Sequence, residues 1–256
     1  MAKKRIVLKV GSYVLTHNEG IAKERMLELV KFIVMLKRED IEVILVSSGA
    51  ISAGYSKLKI DKSDTINRQV LASIGQTYLL STYQDFFDNF DMICSQILLP
   101  YSIFDSQIGR ENANNTINRL LSYNITPIIN ENDTVSIEEL LEGDNDMLSA
   151  YITHFCDADM LIILSNLDAY VKDGKAIKVE DNIPQDEKNT KIEAGRFVVS
   201  HHKQMFLASG FDLSDAKSFL LDDIHKGGTL FYLIGTQGFH SGFSKTLGYP
   251  SSISIG

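Results

Sequence analysis

Short β-branched runs alternate with longer helical patterns along most of this chain, and that alternation limits the fold more than any other feature. RIVLKV (5–10) reads as a strand ending at Gly-Ser, and EVILVSS (42–48) as a second strand. Near-continuous apolar runs of this kind belong to parallel strands buried on both faces. Between them a helix is expected over about 21–38, with Met26, Leu29, Ile33 and Leu36 on one face. A long helix is expected within 66–88, then a strand at MICSQILL (92–99) and a helical pattern in NNTINRLLSYN. ITPIINEND (125–133) reads as a strand running into a polar loop, 144–155 as a helix and ADMLIILSN (158–166) as the next strand. This β-α-β-α order predicts an α/β fold with a mostly parallel central sheet and helices on both sides. Ligands in such sheets sit beyond the carboxyl ends of the strands.

The pattern loosens from about 170. YVKDGKAIKVEDNIPQDEKNT (170–190) is charged and reads as a surface excursion. KIEAGRFVV starts a helix, KQMFLASGF is a strand, LSDAKSFLLDD a helix and GGTLFYLI a closing strand. Residues 235–256, rich in Gly and Ser and nearly uncharged, read as a tail or irregular extension beyond one domain at 1–234.

A net charge of −8 argues against a nucleic-acid or membrane-surface protein, because phosphate backbones and anionic headgroups need a basic footprint. It leaves room for a small phosphate ligand on a local patch. Cys94 and Cys156 both lie in apolar contexts and read as buried free thiols of a reducing cytoplasm, not as a disulfide or metal site. The basic N-terminus is followed by an apolar run that Lys9 interrupts and Gly11 ends, too short for a signal peptide or a span. A cytoplasmic protein is expected.

Common phosphate-loop, dinucleotide, metalloprotease, hydrolase and protein-kinase signatures are absent from the sequence. Four strand ends carry the remaining chemistry: Lys9-Val-Gly-Ser, Ser47-Ser-Gly-Ala, Asn130-Glu-Asn-Asp and Ser165-Asn166. Lys9 breaks an otherwise apolar strand, so its ammonium must snorkel to solvent at a sheet edge or be held at the ligand face. At the ligand face it would lie beside Gly11 and Ser12, whose amides can meet an anion at the turn. Ser48 and Gly49 open a helix either as a plain cap or as an anion-binding turn, with Gly49 letting a ligand approach the backbone. EGDNDMLSA (142–150) has the composition of a helix start, with Asp144 as its natural N-cap. It is also a place where Asn145 and Asp146 can be aimed at a ligand, and the two readings are compatible.

VLKVGSYVLT, VILVSSGAISAG, PIINENDTVSIEE and GDNDMLSA, in this order, resemble the successive signature blocks of the amino acid kinase superfamily, and within it those of the glutamate 5-kinases. The resemblance covers roughly residues 4–170 and resumes over TKIEAGRF and MFLASGFDLSDAKSFLL…GGTLF. It implies a three-layer α/β/α sandwich, with glutamate over the N-terminal half and ATP over the C-terminal half. The implied reaction is ATP-dependent phosphorylation of the glutamate γ-carboxylate, with Mg²⁺ bridging the ATP phosphates, at the first step of proline biosynthesis. Position by position, Lys9 matches the phosphate-contacting lysine, and Ser48, Asp133 and Asn145 the glutamate-binding residues. Asp146 matches the aspartate that holds the active-site lysines. Ser165 and Asn166 match a nucleotide-contacting pair, although the family usually has Asp where this chain has Asn166. Feedback inhibition by proline and a homo-oligomer are also implied. The family's common C-terminal RNA-binding-like PUA domain is not expected after GGTLF. The six histidines, His17, His154, His201, His202, His225 and His240, are scattered and read as surface or packing residues.

One departure stands out. The family's Gly-Thr-Gly-Gly-Met-x-Thr-Lys block should supply the second lysine, and TKIEAGRF supplies Thr190 and Lys191 at the right place. The glycines ahead of it are replaced by DEKN (186–189), and the link from the preceding strand is shorter than is usual in the family. Either a mobile glycine loop belongs between these blocks and is missing from this sequence, or the chain lacks the loop and binds ATP weakly or not at all. The second alternative is an amino-acid-binding relative. A kinase with a different acceptor is a third.

Overall fold

The structure is a computed structural model, and it describes residues 3–17, 20–135, 145–181, 183–184 and 188–233. The first half of the chain runs β1 (Arg5–Val10), α1 (Ser12–Leu15), β2 (Thr16–His17), β3 (Gly20–Ile21), α2 (Lys23–Arg38), β4 (Glu42–Ser47) and α3 (Ala50–Lys57). It continues through α4 (Thr65–Asp88), β5 (Cys94–Leu99), a 3-10 turn at Tyr101–Asp105, α5 (Gln107–Ser122) and β6 (Thr126–Glu131). The second half runs α6 (Asp146–Phe155), β7 (Met160–Ser165), β8 (Tyr170–Lys172), β9 (Lys175–Ile177) and β10 (Val179–Glu180). It ends with α7 (Thr190–Ser200), β11 (Gln204–Ser209), α8 (Ser214–Leu221) and β12 (Thr229–Phe231).

Eight of the described strands form one sheet in the order β10-β12-β11-β7-β1-β4-β6-β5, parallel throughout except where β12 runs antiparallel to β11. Strand alternation divides the core into two layers. Ile6, Leu8 and Val10 face α2, α4 and α8, whereas Val7, Ile44, Val46, Leu161 and Ile163 face α5, α6 and α7. The result is the expected α/β/α sandwich. Lys9 shares the parity of Val7, so the same alternation sends its side chain toward the face that carries α6 and α7.

The helices start and stop by local chemistry. Asp64 caps α4 by accepting from the Asn67 amide at 2.8 Å, and Ser106 caps α5 by accepting from Gly109 at 3.1 Å. Asp40, Asn124 and Asp157 adopt left-handed φ values of 60°, 58° and 49° just past α2, α5 and α6, where Asn and Asp are among the few residues that tolerate that conformation.

The stretch from 170, expected as a surface excursion, contains the β8–β9 hairpin, and β10 joins the edge of the main sheet beside β12. Cys94 and Cys156 are buried and unbridged. Among the described residues no helix is long and apolar enough to cross a membrane. The 235–256 tail and Asp144 lie outside the described residues.

Candidate active site

The four strand ends singled out in the sequence belong to β7, β1, β4 and β6, which are consecutive neighbours in the sheet. Strands from the first half of the chain lie on one side of the β1–β7 junction and strands from the second half on the other. This is the point where strand order reverses, and such switch points open a crevice at the carboxyl edge.

Lys9 lies at this junction with no exposed surface, and its Nζ is 2.5 Å from Asp146 Oδ1. Asp146 opens α6 and is also fully buried. Its second oxygen accepts from Lys191 Nζ at 3.0 Å and from Thr190 Oγ1 at 2.8 Å, both at the start of α7. Burial alone would push the Asp146 carboxyl up. The Lys9 and Lys191 charges, with hydrogen bonds from Lys9 and Thr190, outweigh burial and hold it down at about 2. One carboxylate thus fixes two ammoniums from opposite halves of the chain.

On the first-half side, Ser48 is buried and its Oγ accepts from Asn145 Nδ2 at 3.1 Å. The same Asn145 nitrogen reaches the Ser47 carbonyl at 2.9 Å and Asn130 Oδ1 at 2.7 Å. Gly49, not Ser48, takes the cap position of α3, with φ of 101° and a Thr16 methyl 3.2 Å from where a Cβ would stand. A side chain there would be strained as well as crowded, so this turn needs glycine. Asn145 stands before the first turn of α6 and makes no side-chain capping bond; its NH₂ group is turned to the strand ends instead. Asp133 lies just past β6; burial pushes its carboxyl up to about 6 while the Arg68 charge pulls the other way.

The second-half side departs from expectation in its details. The Gly11 amide, expected to be available to an anion, donates to the Leu164 carbonyl at 3.1 Å and so ties β1 to β7. Ser12 opens α1 beside it. Ser165 is buried at the end of β7; its Oγ accepts from the Leu167 amide at 2.8 Å and its carbonyl from Gly210 at 2.7 Å. Asn166 is exposed. Asn189, in the DEKN stretch that replaces the glycines, caps α7 by accepting from the Lys191 amide at 3.0 Å.

Of the residues expected from the sequence, the structure brings together Lys9, Asp146, Thr190 and Lys191, and beside them Ser48 and Asn145, with Gly49 at the same strand end. Asn189, Arg68 and the buried Gln76, whose Oε1 accepts from Asn130 Nδ2 at 2.8 Å, join them without having been expected from the sequence. Of these, Asn189 carried a signal as a capping residue directly before a helical pattern. Of the histidines, His225 packs against Phe206 and Phe219, and His154 and His201 lie against each other and against Phe197.

The sequence profile of the amino acid kinase family matches residues 4–208. The chain belongs to the amino acid kinase family. A Wolinella succinogenes protein named glutamate 5-kinase is 42% identical over 254 residues, covering 89% of this chain and 97% of its own length. A Leishmania donovani protein of the same name is 40% identical over 251 residues, covering 90% of this chain and 95% of its own. The Giardia lamblia carbamate kinase structure bound to AMP-PNP shares the fold, with a TM-score of 0.61 at 13% identity over 90% of this chain and 98% of that one. The Wolinella alignment is longer than the stretch of this family member that it uses, so the relative carries residues within the matched span that this chain lacks.

Proposed function

We propose that this chain transfers the γ-phosphoryl group of ATP to the γ-carboxylate of L-glutamate, giving γ-glutamyl phosphate for proline biosynthesis. The observation that carries the reading is Asp146 between the ammoniums of Lys9 and Lys191 where the two halves of the sheet meet. The names of relatives that this chain covers almost end to end support the acceptor.

The chemistry needs few groups. A γ-carboxylate is already ionised at neutral pH, so no base is required. An acceptor oxygen attacks the γ-phosphorus as its bond to the bridging oxygen breaks, and ADP leaves without a proton transfer at the carboxylate. The transition state spreads negative charge over the transferring group, and rates rise when cations are already in place around it. Lys9 and Lys191 supply that charge, and Asp146, ionised across the working pH range, keeps both in position. Mg²⁺-ATP, when bound, supplies the phosphoryl group and a metal charge on its phosphates. The donor set at the sheet junction, two ammoniums on one carboxylate, suits phosphate oxygens, so a metal ion would be carried by the nucleotide.

On this reading the first-half strand ends take glutamate through Ser48, Gly49, Asp133 and Asn145. The nucleotide lies over Gly11, Ser12, Ser165, Asn166 and Thr190 in a kinase unit spanning 1–234. A cytoplasmic homo-oligomer inhibited by proline completes the reading, with the family resemblance as its support.

A second reading, an amino-acid-binding relative with weak ATP binding, has one observation in its favour. The helix that should receive phosphate has lost its glycines, and the Lys191 amide is already taken by Asn189. Titration calorimetry separates the two. Saturable binding of both glutamate and Mg²⁺-ATP, with ADP release on mixing, is expected of the kinase; glutamate binding without nucleotide binding would favour the sensor. An acceptor panel of glutamate, aspartate, carbamate and UMP tests the third alternative, with ADP release expected for glutamate.

A further inference from the structure

Two backbone groups fix which way the side-chain amides face at the glutamate end of the site. The Glu131 amide donates to Asn130 Oδ1 at 2.9 Å, and the Ser47 carbonyl accepts from Asn145 Nδ2 at 2.9 Å. A backbone N–H only donates and a carbonyl only accepts, so neither carboxamide can be turned over without breaking one of these bonds. Asn145 Nδ2 is then shared with Asn130 Oδ1 and Ser48 Oγ. The other end of Asn130, its Nδ2, faces Gln76 Oε1 at 2.8 Å from the middle of α4. Gln76 is 9% exposed and Asn130 is 2% exposed, so water is a poor substitute for either.

We propose that Gln76 is a positioning residue: it sets the facing of the Asn130–Asn145 pair and thereby the donor–acceptor pattern offered to the amino acid. This rests on the glutamate kinase reading. With its nitrogen committed to the strand ends, Asn145 has only its carbonyl oxygen left for a ligand. Ser48, which accepts from Asn145, keeps its own hydrogen to donate. An acceptor beside a hydroxyl donor matches the ammonium and carboxylate of an α-amino acid. Without the Gln76 acceptor, Asn130 would bury an unpaired NH₂ group. Turning Asn130 over would relieve that only by setting its NH₂ against the Asn145 NH₂ and the Glu131 amide. Either outcome loosens the Asn145 and Ser48 side chains, whereas the ion pairs of Asp146 with Lys9 and Lys191 use none of these groups.

The test is Gln76→Met, which keeps the volume and removes the acceptor. Its glutamate KM should rise roughly tenfold while kcat and the KM for ATP stay within about twofold. A change in kcat or ATP KM as large as that in glutamate KM, or no change in any of them, would overturn the proposal. Side-chain amide NMR of the ligand-free wild type provides a second arm that survives a misfolded variant. The Asn130 and Asn145 NH₂ protons should exchange far more slowly than those of the exposed Asn112. Exchange as fast as Asn112 would sink the idea. A wild type that does not turn over glutamate refutes the kinase reading instead, and the NMR arm, which needs no ligand, still tests the buried amide pairing on which the positioning rests.

Discussion

A lysine with no exposed surface is costly unless its ammonium meets a counter-charge, and Lys9 meets Asp146 2.5 Å away. That cost is why Lys9 was legible: a cation in an apolar strand needs a reason, and the reason lay at the strand's carboxyl end. Lys9→Ala and Lys191→Ala should each lower kcat by about two to three orders of magnitude, measured as glutamate-dependent ADP release. Asp133 gives a prediction of the opposite kind. Its folded carboxyl is raised to about 6, so the folded state binds a proton more tightly than the unfolded state does. Stability therefore falls as pH rises from about 4 to about 6, and at neutral pH the charged Asp133 is a net burden. Asp133→Asn should raise stability at pH 7–8 by on the order of 1–2 kcal/mol, with the gain vanishing below about pH 4. Calorimetric melts across that range check it. The same substitution should weaken glutamate binding, and glutamate KM for the wild type should climb as pH falls below about 6. Gln76 was not legible, because a glutamine in a helical pattern reads as solvent-facing until the fold shows what it touches.

The element most responsible for the first-half side is α4, which carries Gln76 and also the buried Tyr83, whose hydroxyl lies 3.0 Å from Ser47 Oγ. Helix α4 presses against α3 through glycines. A Cβ on Gly75 would stand 1.7 Å from the Ala50 carbonyl oxygen, and one on Gly54 would stand 1.9 Å from that of Leu71. The Ala50 oxygen cannot yield without moving α3, nor the Leu71 oxygen without moving α4. Gly75→Ala should cost about 2–4 kcal/mol in denaturant unfolding and raise glutamate KM more than ATP KM. An equal effect on both would show that the packing serves the whole fold and not one substrate. The long strands and helices were readable because their periods persist over many residues. The hairpin and edge strand between 170 and 180 were not: pieces of two or three residues in a charged stretch carry too little period. The antiparallel direction of β12 depends on tertiary pairing that no local pattern encodes.

At the scale of the molecule, chain order explains where the chemistry sits. The first half lays down β1, β4, β6 and β5 to one side, and the second half adds β7, β11, β12 and β10 to the other. Their junction draws one lysine from each half onto one aspartate, and on the proposed reading the two substrates meet there. The four strand ends were visible in the sequence, but their adjacency required strand order. The missing glycines before Thr190 remain the sharpest departure from the family, with Asn189 standing as the cap of α7. The most direct test is hydroxylamine trapping of the acyl phosphate with glutamate and Mg²⁺-ATP. Glutamate-dependent hydroxamate, reduced about a hundredfold or more in Lys191→Ala, is the expected result. Wild-type protein that binds both substrates and yields no hydroxamate would contradict it.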